Sequence, residues 1–229
     1  FRADAYAAAC PASVLAHHEK GVILYRTVFY ATSGGQPGDS GRLVRADGTT
    51  LPVTTAVFFD PAKTVIAHVV EGALTEIGAK VVAEIDWAPR LRRMRMHTAL
   101  HLLSVVLPYP VTGGAIGTDE SRLDFDIPDA GLDKDDLTAR LRSLIAREAE
   151  VTDRHITDAE LDASPGLVKT MSVAPPRGAG VVRLVEIAGL DLQPCGGTHV
   201  RNTREIGDVS VTQIEKKGKQ NRRVRIAFA

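Results

Sequence analysis

Two pairs of metal-ligating residues, each spaced four positions apart, stand far from one another in this chain: His97-Thr98-Ala99-Leu100-His101 and Cys195-Gly196-Gly197-Thr198-His199. On a helix, positions i and i+4 lie on one face a single turn apart. Imidazole nitrogen and thiolate sulfur are the donors Zn²⁺ prefers, and four of them complete a tetrahedral shell. The plainer alternative is that the histidines satisfy core hydrogen bonds while the cysteine acts as a small buried hydrophobe. A spaced histidine pair on a helix also marks zinc proteases, where the residue after the first histidine is a general-base Glu. Here that residue is Thr98, so the protease chemistry lacks its base.

The rest of the chain must supply elements that bring these pairs together. Its 229 residues suffice for one large domain or two modest ones. Hydrophobic content of 44% and charged content of 24% are those of an ordinary globular protein, so neither disorder nor a membrane class is indicated. Lys+Arg and Asp+Glu each number 28, so any nucleic-acid contact must come from local patches rather than net charge. The two cysteines, Cys10 and Cys195, make no disulfide framework, which fits a reducing cytosol. No apolar run approaches the roughly 20 residues that span a bilayer, and no signal-peptide pattern precedes the first strand, although the chain begins at Phe1 rather than Met.

Residues from about Ser13 to Trp87 read as short strands. Val22 to Tyr25, Leu51 to Phe59, Thr64 to Val70 and Lys80 to Ile85 are rich in β-branched or aromatic residues, with Gly and Pro pairs between them. A small β-barrel is the expected outcome. From Pro89 the character changes. Arg90 to Leu107 runs without a breaker to Pro108, placing Ala99, Leu102, Leu103 and Val106 on one side and Met94, His97, His101 and Ser104 on another. A second helix is expected from about Asp133, its cap, to Glu150, and a short third from Thr157 to Ala163. Strands are expected at Leu167 to Met171, Val181 to Ile187, Gly207 to Ile214 and Arg222 to Phe228. Helices interleaved with hairpin-like strands give an α+β class with an antiparallel sheet.

Three further features bear on binding. Gly34-Gly35-Gln36 offers a backbone that another molecule can approach and a side chain that both donates and accepts, or else simply a hairpin turn. Arg90, Arg92, Arg93 and Arg95 lead into the first histidine pair, and Lys216, Lys217, Lys219, Arg222, Arg223 and Arg225 crowd the C-terminal hairpin around Gly218. Arginines suit phosphate, whereas the common explanation of a charge run is a solvated surface. The aspartates from Asp119 to Asp136 read as a solvated acidic region.

Several stretches together carry a resemblance. Phe29 to Gly41 with SGGQPGDSG, Arg95 to Leu103 with HTALHLL, Arg122 to Phe125, and Cys195 to Gly207 with CGGTHVRNTREIG are similar to the AlaX family of freestanding alanyl-tRNA editing proteins, related to the editing domain of alanyl-tRNA synthetase. The Gly-Gly-Gln stretch resembles the longer subtype. What the resemblance implies is an N-terminal β-barrel over residues 1–88, followed over residues 89–229 by a two-layer α/β zinc-binding editing domain with a mainly antiparallel sheet. It further implies ATP-independent hydrolysis of mischarged tRNA(Ala), chiefly the seryl and secondarily the glycyl ester, in the cytoplasm. One Zn²⁺ per chain would be held by His97, His101, Cys195 and His199. His97, His101 and Thr112 would stand at the reaction centre, with Thr112 pairing with a serine hydroxyl. Gly34, Gly35, Gln36, Arg93, Arg95, Lys216, Lys217, Arg222 and Arg223 would meet the tRNA. No membrane and no obligate protein partner is implied. Arg204 departs from the pattern, standing where the family often has glycine.

A fully protein-ligated zinc leaves no open position, so one ligand, Cys195 or His199, is expected to yield when substrate binds. Two other functions share these residues. One is editing of a different tRNA, because the threonyl-tRNA editing domain has the same paired-ligand framework. The other is a non-catalytic RNA-binding module in which zinc only staples the fold.

Overall fold

The computed structural model describes residues 1–72, 75–128, 131–169 and 180–229. It divides into two units, Phe1–Leu91 and Arg92–Ala229.

In the first unit six strands close into an antiparallel barrel in the order β1 (Ala9–His18), β2 (Gly21–Leu24), β5 (Ile66–Val70), β4 (Thr50–Phe58), β3 (Gly41–Arg45) and β6 (Lys80–Ile85). Alternation puts Val14, Val22, Leu43, Leu51, Val53, Val81 and Ala83 inside with Phe29, while the residues between them face outward. Four of these strands coincide with the β-branched runs. The other two carry weaker signals. β1 contains three alanines and a proline among its ten residues, and β3 is only Gly-Arg-Leu-Val-Arg.

The glycine-rich segment between β2 and β3 is built around a buried ion pair. Arg90 is fully buried, and its guanidinium meets both oxygens of Asp39 while donating to the carbonyls of Ala5 and Val28, each at 2.8 Å. Asp39 also accepts from the Tyr30 amide at 2.6 Å. A charge pair taken out of water survives only when its remaining hydrogen-bonding capacity is used, as it is here. Within the segment, Ser33 and Gln36 exchange both backbone hydrogen bonds, and Gly34 and Gly35 turn the corner at φ 57° and 81°. That is the geometry a two-residue hairpin demands of its central pair. Gly38 and Gly41 are glycine for another reason: a Cβ on either would sit 2.2 Å from the Ala56 carbonyl oxygen or 2.1 Å from that of Glu84.

Helix α1 (Trp87–Val106) begins in the first unit and continues into the second. It starts at Trp87, with Pro89 in the first turn as expected and the Asp86 carbonyl taking the Arg90 amide. Its second-unit residues Met94, Met96, Ala99, Leu102 and Leu103 are all fully buried, so it is a core helix rather than a one-sided one.

The second unit holds two antiparallel sheets. One runs β12 (Val209–Lys216), β13 (Asn221–Phe228), β8 (Glu120–Asp126), β7 (Val111–Ile116); the other runs β11 (Asp191–Pro194), β10 (Val181–Ile187), β9 (Val151–Thr157). Helix α2 (Lys134–Ile145) buries Leu137, Thr138, Leu141 and Ile145, and the Thr138 hydroxyl accepts the Val211 amide of β12 at 2.9 Å. The Asp133 side chain caps α2 as expected, accepting the Asp136 amide at 2.8 Å. The helix stops at Ile145, short of Glu150, and Glu148 turns the chain at φ 49°. Helix α3 (Asp158–Asp162) has a capping box between Thr157 and Glu160. The strand expected at Leu167 to Met171 is not formed where it can be seen: Pro165–Leu167 is a 3₁₀ turn, and residues 170 and 171 lie outside the described residues.

The acidic stretch is not uniformly solvated surface either. Asp124 on β8 is gripped by Arg122 and by the cross-strand Arg223 at 2.7 and 3.0 Å, and the Arg223 contact leads in holding its carboxyl below the usual range.

One buried titratable group makes barrel stability pH-dependent. His68 on β5 donates from Nδ1 to Val22 O (2.9 Å), its Nε2 meets Thr27 Oγ1 (2.7 Å), and burial lowers its pKa to about 4. The folded state thus prefers the neutral ring. Its contribution is complete above the unfolded value near 6.5 and is lost as pH falls toward 4. Between pH 7 and pH 5 the barrel should lose about 2 kcal/mol. Urea unfolding followed by the fluorescence of Trp87, the one tryptophan, which packs on the barrel core, should show this slope. His68→Gln should flatten it, and an equal slope in the variant would assign the dependence elsewhere.

Candidate metal centre

His97 and His101 stand one turn apart on α1, and Cys195 and His199 lie in the segment that follows β11. This second pair is not helical, contrary to the simplest use of its spacing. Hydrogen bonds to fixed elements shape it instead. The Arg183 guanidinium of β10 donates to the carbonyls of Cys195 and Gly197, both at 3.0 Å, and the Cys195 amide donates to Arg183 O. The Gly197 amide points at Cys195 Sγ at 3.4 Å, and the Val200 amide donates to the Thr98 hydroxyl of α1 at 3.3 Å. Beyond them, Asn202 and Glu205 form a capping box on the 3₁₀ turn Thr203–Ile206. Arg204 therefore occupies an ordinary capped turn in which glycine's freedom is not required; the left-handed position falls to Gly207 at φ 73°.

These constraints bring one donor atom from each of His97, His101, Cys195 and His199 within 4.8 Å of one another. Cys195 Sγ lies 3.5 Å from His97 Nε2 and 3.3 Å from His199 Nε2. The imidazole rings have centroids 4.2 to 5.3 Å apart. In a tetrahedral shell with metal–sulfur and metal–nitrogen bonds of zinc length, the S···N edge is about 3.6 Å. The observed separations match it, so the four donors fit a single ion. All three histidines are buried and Cys195 is half-buried.

The electrostatics point the same way. Burial would raise the Cys195 thiol, but the neighbouring His97 and His199 bring it well below its ordinary value, giving a thiolate. Burial, followed by the charge of His97, lowers His199 to about 3 and keeps it neutral. For His101 burial opposes the proton, yet Asp191 and the Cys195 sulfur overcome it and raise the ring to about 9. Cys195 and His199 are thus poised as deprotonated donors for a divalent cation, whereas His101 must release a proton when it binds one.

Behind His101 lies a polar chain that the sequence reading missed. Asp191 Oδ2 contacts His101 Nδ1 at 3.1 Å and accepts from Gln193 Nε2 at 2.7 Å, and its other oxygen meets Lys169 Nζ at 2.5 Å. Burial opposes the Asp191 charge, but the contacts from His101, Lys169 and Gln193 hold its carboxyl down at about 2. Such a carboxylate fixes a ligand histidine's tautomer and orientation. The signal was present: Asp191 and Gln193 alternate on the short strand leading to Cys195, and both are buried. Polar residues on the inward face of a strand call for a partner.

Other expected site residues fall elsewhere. Thr112 on β7 is the extra residue of a β-bulge, because Val111 pairs with Phe125 and Gly113 with Asp124; its hydroxyl accepts from Asn221 Nδ2 at 3.2 Å. Gly34, Gly35 and the buried Gln36 lie in the hairpin turn of the first unit. Arg93 is half-buried on α1, and Arg95 packs its guanidinium on the Phe228 ring at 4.2 Å and donates to Ile206 O. In the C-terminal hairpin, Lys216 is exposed, Lys217 pairs with Glu215 at 2.6 Å, Arg222 is buried, and Arg223 is committed to Asp124. Much of that basic charge is thus balanced within the sheet.

Comparison with known proteins agrees with this architecture. Residues 182–225 match the family described as the threonyl and alanyl tRNA synthetase second additional domain, and residues 5–89 match that of class II (A) tRNA synthetases. Both units therefore contain stretches with counterparts in tRNA synthetases. The chain is 37% identical over 216 residues to the alanyl-tRNA editing protein AlaX-M of Methanosarcina barkeri, covering 90% of the chain and 88% of that protein. The corresponding protein of Saccharolobus solfataricus is 33% identical over 211 residues, covering 89% and 86%. The alanine–tRNA ligase of Pyrobaculum calidifontis is 34% identical over 230 residues, which cover 94% of the chain but 25% of the ligase. The chain belongs to the AlaX family of alanyl-tRNA editing proteins.

The donor geometry predicts one divalent ion per chain. Titration with cobalt(II) should produce thiolate-to-metal absorption saturating at one equivalent. Cys195→Ser should abolish that band and weaken metal binding by at least about tenfold. Unchanged affinity in the variant would remove Cys195 from the set.

Proposed function

We propose that the chain is an aminoacyl-tRNA deacylase that hydrolyses mischarged tRNA(Ala) in trans, chiefly the seryl ester and secondarily the glycyl one, at a zinc ion held by His97, His101, Cys195 and His199. The observation that carries this reading is the buried three-histidine, one-cysteine cluster in a chain similar to alanyl-tRNA editing proteins over 90% of its length. Zinc bound there supplies a Lewis acid for the ester carbonyl or for water. The chain's own residues orient that chemistry. Asp191 holds His101 by its Nδ1, and Arg183 fixes the backbone carrying Cys195. The three histidines are buried while Cys195 is half-exposed, which favours Cys195 over His199 as the ligand that yields to substrate.

Selectivity asks for more than shape. Apolar walls separate side chains differing by one small group by only ~1–3 kcal/mol. A hydroxyl pairing with the serine side chain adds a polar criterion, and Thr112 is the candidate for it. The Asn221 amide donates to the Thr112 oxygen, which holds that hydroxyl in place on β7. For the tRNA itself, the Gly34-Gly35 turn, Lys216 and Lys217 are exposed members of the expected contact set, Lys217 paired with Glu215. Among the described residues no helix is long and apolar enough to cross a membrane, and the free thiols of Cys10 and Cys195 suit the cytosol, where tRNA is charged.

The test is deacylation of Ser-, Gly- and Ala-charged tRNA(Ala), with Ser-tRNA(Thr) alongside, with and without chelator. Seryl-tRNA(Ala) should be hydrolysed fastest and Ala-tRNA(Ala) spared. Preference for Ser-tRNA(Thr) would move the assignment to the threonyl system, and hydrolysis of none would overturn it. Thr112→Val should raise activity on Ala-tRNA(Ala) relative to Ser-tRNA(Ala) by about fivefold, the worth of one hydrogen bond; an unchanged ratio would dismiss Thr112. His97→Ala should lose deacylation while keeping its fold, whereas in a zinc-stapled binding module it would unfold.

A further inference from the structure

Thr98 replaces the glutamate that a zinc protease would carry after its first histidine, and the deacylase reading gives it no task. Its side chain is fully buried in the interior of α1. A threonine hydroxyl has one proton to donate and two lone pairs to accept with, and the contacts of Thr98 Oγ1 use all three. Oγ1 donates to Met94 O one turn back at 2.9 Å. It accepts the Val200 amide at 3.3 Å. The remaining contact is His199 Nδ1 at 3.1 Å. With its proton committed to Met94, the oxygen has only a lone pair to offer His199. Nδ1 must then carry the imidazole proton, which leaves the Nε2 lone pair directed at the cluster, 3.3 Å from Cys195 Sγ.

We propose that Thr98 is a positioning residue that locks His199 in its Nδ1-protonated tautomer and so presents Nε2 as a metal donor. This rests on the metal reading of the cluster. It also makes the outer partners of the two sites unlike: His101 is held by the carboxylate of Asp191, itself pinned by Lys169 and Gln193, and His199 by a neutral hydroxyl. A carboxylate partner makes its histidine a more basic donor than a hydroxyl does. Within this pair His199 is the softer-held imidazole.

The decisive measurement is metal affinity by competition with a chromophoric zinc chelator, alongside two-bond ¹H–¹⁵N correlation of the histidine rings in the zinc-loaded protein. Wild type should bind one zinc and show His199 protonated at Nδ1. Thr98→Val, which keeps shape and removes the hydroxyl, should raise the zinc Kd roughly 10–100-fold and let the His199 Nδ1 proton exchange with solvent. Thr98→Ser should restore both to near wild type, and the His101 signals should not move in either variant. A Thr98→Val protein that binds zinc within twofold of wild type overturns the proposal, as does an unaltered His199 proton. If the valine variant does not fold, the wild-type tautomer decides: a proton at Nε2 refutes the assignment. A wild type that binds no zinc refutes the metal reading itself, a result distinct from either.

Discussion

Holding three imidazoles and a cysteine sulfur within 4.8 Å of each other, largely shut off from water, is the constraint around which the second unit is arranged. Without a cation, such a cluster combines desolvated polar atoms with a charge that burial disfavours. The surrounding structure supplies what keeps it from dispersing. A core helix buried on several sides gives two donors a rigid base. The other two sit on a segment with no regular structure of its own, whose carbonyls and amides are nonetheless satisfied by Arg183, Thr98 and the capped turn that follows. Rigid donors on one side and a well-anchored loop on the other are what a preformed metal site requires.

The first unit shows the same economy around a different pair. Arg90 and Asp39 are buried together, and between them they satisfy an amide and two carbonyls of the segments they touch. The Gly-Gly-Gln turn is an outgrowth of that arrangement. Its tip is exposed and open, with no atom within 4 Å of where a Gly34 Cβ would be, while the glycines at 38 and 41 are pressed against strand carbonyls. One short motif thus mixes residues chosen for backbone conformation with residues chosen for lack of volume. Only the former leave room for another molecule.

The sequence disclosed the donor cluster, the barrel and the helices because those depend on local pattern. Paired donors four apart, β-branched runs between turn residues and the Asp133 cap are all short-range signals. What it concealed was set by tertiary contact. β9 reads Val-Thr-Asp-Arg-His-Ile-Thr, polar enough to pass for a loop, and becomes a strand by pairing along its whole length with β10. Asp191 and Gln193 acquire a role only through His101 and Ser104, some ninety residues away in the chain. Arg223 looked free to meet phosphate until β8 brought Asp124 across from it. In each case the deciding neighbour is remote in sequence, beyond the reach of any window.

The bulge at Thr112 carries a consequence of parity. Val111 and Ile116 are both buried, yet they are five positions apart, an odd interval that in an unbroken strand would send them to opposite faces. The supernumerary residue repairs the mismatch by advancing the strand half a period, so both ends of β7 reach the core. The number of residues between Val111 and Ile116 is therefore constrained independently of their identity. Substitution at position 112 alters a hydroxyl, whereas a deletion there would invert the strand's inside and outside beyond it. Of the two kinds of change, the chain has latitude only for the first.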